Sequence, residues 1–127
     1  MSSFSDNFNR ADGGIGANYA DVYGNGLPNV ASNEVTLSAA LWQIAKINSV
    51  APATADQQVE LEYRSGTDGA LYVASRLSGI NGTLAGYFVE YHCFFNAINV
   101  YKMTAAAFGS ALGSYSVTLS AGQTFGI

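Results

Sequence analysis

Charge is what this chain has least of. Only 11% of its residues are Asp, Glu, Lys or Arg, and the five Lys and Arg are scattered. Binding a nucleic-acid backbone takes a basic stripe, so a net charge of −4 without one excludes nucleic acid as a partner. No run of about 18 apolar residues is present, which predicts no membrane-spanning helix and no membrane partner. The opening Met1-Ser-Ser-Phe-Ser-Asp6 lacks the basic and apolar regions of a secretory signal. A chain made in the cytoplasm is expected. The lone cysteine, Cys93, has no intrachain partner for a disulfide and reads as a small core hydrophobe rather than a reactive thiol.

What the chain does have is glycine, 14 residues of it, and aromatics at 13%. That mix belongs to short strands joined by tight turns. A chain of 127 residues is read as one domain, 1–127, large enough to bury roughly two thirds of its unfolded surface. The strongest strand signal covers residues 84–95. Tyr87, Val89, Tyr91, Cys93 and Phe95 share its core-side face, and Phe88, Glu90, His92 and Phe94 share the other.

Alternation is clearest over 58–65, where Val59, Leu61 and Tyr63 oppose Glu60, Glu62 and Arg64. Leu71, Val73, Ser75 and Leu77 alternate with Tyr72, Ala74 and Arg76, and Ile98, Val100 and Lys102 with Asn99 and Tyr101. Further strands are read over 18–22, 34–37, 41–47, 115–119 and from Thr124. Gly66-Thr-Asp-Gly69 and Asn81-Gly82 read as hairpin turns. Asn81-Gly-Thr83 also matches a glycan acceptor, but without a secretion signal the turn is the simpler reading. Strands about ten residues apart with no helical period predict an all-β, antiparallel β-sandwich or jelly roll.

The opening Phe4-Ser-Asp-Asn-Phe-Asn-Arg-Ala-Asp-Gly-Gly-Ile-Gly-Ala-Asn-Tyr19 resembles that of concanavalin A-like, laminin-G-like β-sandwich modules, frequent in bacteriophage structural proteins and bacterial surface proteins. The resemblance continues through Val30-Ala-Ser-Asn33, Ala55-Asp-Gln-Gln-Val-Glu60 and Gly86-Tyr-Phe-Val-Glu-Tyr91. Tyr19 departs from it, since the family usually has Trp there. Such modules also continue past the strand begun at Thr124 with two or three more strands. Either the sequence is a shortened piece, or a neighbouring subunit supplies the missing pairing; the opening Met favours the second. Phe125, Ile127 and Tyr115 are then the expected interface, because an open apolar edge aggregates unless covered.

The resemblance implies a virion component acting through oligomeric contacts with its own copies or other virion proteins, capsid decoration or fibre-associated. Its alternative is a lectin-like module binding host-surface glycans, with Trp42, Tyr72, Arg76, Phe88, Glu90 and His92 as candidate contacts; Tyr101 and Tyr115 are further aromatic candidates. A degenerate glycoside hydrolase is the third reading, since Glu60 and Glu62 lie on one face roughly 7 Å apart. The Glu-x-Asp-x-x-Glu pattern of the superfamily's glucanases is, however, missing from Glu60-Leu-Glu-Tyr-Arg64. No catalytic residue is therefore assigned; Glu60, Glu62, Arg64, Arg76 and Glu90 are expected to form cross-strand charge pairs. Asp6, Asn7 and Asp12 have oxygens suited to calcium, yet these are also ordinary turn residues. No metal and no cofactor is expected.

Overall fold

The computed structural model describes residues 6–36, 43–47, 58–65 and 69–127, with backbone only over 45–47. They fall into two compact units, divided after Thr54. All pairings among the described strands are antiparallel. The chain is thus all-β, as the alternation predicts.

The first unit holds β1 (Gly13–Gly14), β2 (Tyr19–Asp21), β3 (Asn29–Ala31), β4 (Glu34–Thr36) and β5 (Ala45–Ile47). They form a three-stranded sheet in the order β1-β3-β4 and a β2–β5 pair. Ser32 and Asn33 both take positive φ between β3 and β4, the requirement of a tight two-residue hairpin. Among the described residues Ile15, Val22 and Val30 are its buried apolar ones.

The second unit comprises β6 (Glu60–Glu62), β7 (Ala70–Ser78), β8 (Ala85–His92), β9 (Ala97–Thr104), β10 (Ala107–Ser116) and β11 (Thr124–Gly126). Four strands make a sheet in the order β10-β9-β8-β7, and β11 pairs with β6 as a second, narrower layer. Tyr63, Val73, Val89, Tyr91, Cys93, Leu119 and Phe125 fill the core, with Leu61, Ile98 and Val100 packed against it. Tyr91 is its centre. Its ring meets Tyr63 edge-on at 5.2 Å and Phe125 at 6.0 Å, geometries worth about 0.5–1.5 kcal/mol each beyond the area buried. The phenol tip is satisfied too, accepting from the Leu119 amide at 3.0 Å and lying 3.3 Å from Asn96 Oδ1.

Four expectations are corrected. Phe125 is not left for another chain to cover: it is buried opposite Leu61, and Ile127 exchanges two backbone hydrogen bonds with Val59, while the other side of β11 remains an edge of its two-stranded sheet. The partner strand lies some sixty residues upstream, a pairing no local pattern encodes. The central strand stops at His92, because Asn96 turns the chain at φ 48 and leaves Phe94 and Phe95 exposed. Residues 66–68 lie outside the described residues; the strands on either side, β6 and β7, belong to different sheets and are not a hairpin pair. Asn81-Gly82 opens a single 3-10 turn, Asn81–Thr83, instead of a two-residue hairpin; Thr83 Oγ1 donates to the Ile80 carbonyl.

The β9–β10 hairpin carries a local cost that the sequence hides. Its turn residues, Ala105 and Ala106, both have positive φ, 50° and 57°, where a side chain costs roughly 1–2 kcal/mol. The Ala106 amide donates to the Leu84 carbonyl at 2.8 Å, which ties the turn to the rest of the unit. Ala106→Gly is expected to stabilise the protein by about 0.5–1 kcal/mol, net of the freedom glycine adds to the unfolded chain. Thermal unfolding checks this: Tm rises by about 2–6 °C, whereas a fall would mean the alanine conformation is not strained.

Candidate functional site

The polar chemistry of the second unit converges on the face of the four-stranded sheet opposite the core. Strand register aligns Tyr72, Glu90, Asn99 and Ser114 in one row across β7, β8, β9 and β10. The row is joined by hydrogen bonds. Tyr72 Oη donates to Glu90 Oε1 at 2.5 Å, Asn99 Nδ2 to Glu90 Oε2 at 2.7 Å, and Ser114 Oγ to Asn99 Oδ1 at 2.6 Å. Tyr101, one row away, adds its hydroxyl to Glu90 Oε2 at 3.3 Å.

Glu90 is 6% exposed, and a carboxylate is kept at such depth only when its oxygens are satisfied. Three donors do so. Over the row lies Phe108, stacked on Tyr72 at 5.8 Å, edge-on to Phe88 at 5.2 Å and tilted on Tyr101 at 5.1 Å. Burial, then the bond to Glu90, raises the Tyr72 phenol well above its ordinary pKa; burial and the charge of Glu90 do the same to Tyr101. Both phenols therefore stay protonated donors at neutral pH. The arrangement locks four strands in register; it presents no free carboxylate to a substrate.

This alters the expected site. Glu90 and Tyr72 are brought together, but Phe88, 1% exposed, is buried against Phe108 on the same face, and Glu90 joins phenols and an amide instead of a charge pair. The alternation of β8 gives two faces without saying that Phe108 roofs the second. Arg76 sits on the outer strand β7, exposed at φ 52 in a break of register between Ser75 and Ser78. Trp42 lies outside the described residues. His92, half-buried, has its Nδ1 without a hydrogen-bond partner and its ring 4.5 Å from that of Phe95. Phe95 in turn meets Phe94 edge-on at 5.1 Å, and the two are 68% and 64% exposed. Asn99, Ser114 and Phe108 were not legible as site residues; only the strand register, once known, puts them beside Glu90.

Glu60, Glu62, Asp6 and Asp12 are engaged locally. Glu60 and Glu62 are exposed on β6, Glu60 accepting from Gln58 Nε2 at 2.9 Å and Glu62 paired with Arg64 at 3.1 Å. In the first unit Asp6, Asn7 and Asp12 do not converge. Asp6 pairs with Arg10 and accepts from the Tyr19 hydroxyl and the Phe8 amide, Asn7 accepts from the Asn9 amide, and Asp12 from the Ser32 amide. Among the described residues no cluster of three or more His, Cys, Asp or Glu has the arrangement of a metal site.

Asp21 likewise organises a turn, accepting from the amides of Tyr23, Gly24 and Gly26 at 2.8–2.9 Å. Burial pushes both carboxyls up, but for Asp6 the Arg10, Phe8 and Tyr19 bonds outweigh it, and for Asp21 the three amides do; both end below the usual carboxylate range. A depressed folded-state pKa contributes stability above the unfolded value that is lost as pH falls through the folded one. The first unit is therefore expected to hold from neutrality to about pH 4 and loosen below it. An NMR pH titration of the Gly24 and Gly26 amides reads this; shifts centred well above pH 4 would contradict it.

Comparison with family models, curated sequences and solved structures finds no match to this chain. Among the described residues no helix is long and apolar enough to cross a membrane.

Proposed function

We propose that the chain is a non-catalytic structural part of a phage virion, a concanavalin A-like capsid decoration or fibre-associated module that works through protein contacts. One observation carries this reading. At the outer edge of the four-stranded sheet stands β10, ten residues without a single charge, nine of them exposed, Leu112 at 63% and Tyr115 at 70%. An edge of that length is a template for another polypeptide, and exposed Tyr makes a large contact at small entropic cost. The occupied state of Glu90 and the local partners of Glu60 and Glu62 support the absence of acid–base chemistry.

A lectin-like role draws on a different feature, the exposed Phe94–Phe95 pair beside His92, rings of the kind that stack on sugars. Mass spectrometry of particles purified from a lysate that contains this protein separates the two readings. A fixed copy number per particle is expected. Absence from the particles, with retention on a glycan array that Phe95→Ala abolishes, would replace the virion role with the lectin one.

A further inference from the structure

The four-stranded sheet has two outer edges, and they are unlike. On β7, Arg76 places a charge at a break in the ladder, with φ 52, the kind of feature that discourages strand addition. On β10 the ladder to β9 is irregular between Phe108 and Gly113 and becomes regular from Gly113 to Ser116, which pair with Val100 to Ala97. The regular stretch therefore ends the sheet with Gly113-Ser-Tyr-Ser116, uncharged and exposed.

We propose that this stretch pairs antiparallel with its counterpart in a second copy of the chain, about a two-fold axis at Ser114, joining two four-stranded sheets into one of eight. The inference rests on the structural reading above and names the partner. Self-complementarity singles out a second copy. Antiparallel pairing about Ser114 sets Tyr115 opposite Gly113 of the other copy, and Gly113 opposite its Tyr115. Both residues lie on the core-side face, in the rows of Ile98 and Val100. A 70%-exposed ring thus meets a position with no side chain, where a Cβ would encounter nothing within 4 Å. It can lie across the glycine toward half-buried Val100, the cross-strand packing by which aromatics compensate edge glycines. A two-fold interface requires each residue to find its match in the same surface, and a ring and a gap two residues apart provide it. Charge agrees: in a chain of net charge −4, this edge brings no like charges together.

The register makes the test specific. Ser114 meets itself at the axis, with Cα atoms about 4.5–5.5 Å apart, inside disulfide range; Leu112 of the two copies would lie several residues apart. Full-length Ser114→Cys is expected to form an intermolecular disulfide under mild oxidation at least tenfold faster than Leu112→Cys. Wild type is expected to sediment as a dimer at tens of micromolar. Gly113→Val and Tyr115→Lys should sediment as monomers with unchanged circular dichroism. A monomeric wild type, or equal cross-linking at 112 and 114, overturns the proposal. A monomer that is nonetheless found in particles removes the dimer and leaves the virion role. A Ser114-linked dimer absent from particles does the reverse.

Discussion

Replacing Glu90 with alanine is expected to lower the stability of the second unit by about 3–5 kcal/mol. The carboxylate accepts from Tyr72, Asn99 and Tyr101 at 2.5, 2.7 and 3.3 Å, and hydrogen bonds to a charged group are worth about 1.5–3 kcal/mol each. Their sum overstates the loss, since half-buried Tyr72 can turn its hydroxyl to water. Tyr101 and Asn99, pinned beneath Phe108 and in mid-sheet, have less freedom to do so. Against a domain stability of about 5–15 kcal/mol this is a large fraction, and Tm should fall by 15 °C or more. Glu90→Gln keeps the shape and one acceptor oxygen, so about half the loss is expected. Equal, small effects of the two substitutions would show that the network does not hold the sheet.

Gly126→Ala is expected to cost a comparable amount by a different route. A Cβ at Gly126 would collide with the Val59 carbonyl oxygen and lie 3.0 Å from Glu60 Cα, backbone atoms at the start of the paired segment. The strand must move away, breaking the reciprocal Val59–Ile127 bonds and drawing Phe125 from beside Tyr91. The loss should approach that of deleting a buried phenylalanine, about 3–5 kcal/mol. The freed apolar edge should then promote aggregation. Thermal unfolding with light scattering reads both effects, and a soluble variant of unchanged Tm would mean that the C-terminal strand contributes little.

These two positions also mark what the sequence reveals and what it withholds. Alternation alone places Val59, Leu61 and Tyr63 on one face and Val73, Val89 and Tyr91 on others, and all of them reach or line the core. Period-two patterning is a local property, so it survives in a single sequence. The role of Glu90 depends on three strands in register and on the ring of Phe108, which arrives from a fourth. Two faces can be read from β8, but not which of them is dry. Pairing of β11 with β6 is likewise non-local, so the burial of Phe125 within its own chain could not be read from the sequence around it. The Ala105-Ala106 turn was silent for another reason: it uses residues that resist positive φ, so the usual Asn-Gly signal is missing. A long uncharged edge stands at β10, whose small residues look like a loop in sequence and form a ten-residue strand in the fold.

The account depends most on the C-terminal strand pairing with β6 of its own chain while β10 stays free for a partner. Native-state hydrogen exchange on the protein, diluted until it sediments as a monomer, tests this most directly. The amides of Val59, Tyr63 and Ile127, each bonded to a backbone carbonyl at 2.8–2.9 Å, are expected to stay protected under those conditions. Free exchange at Ile127 and Val59 in the monomer, with protection returning only on association, would contradict it.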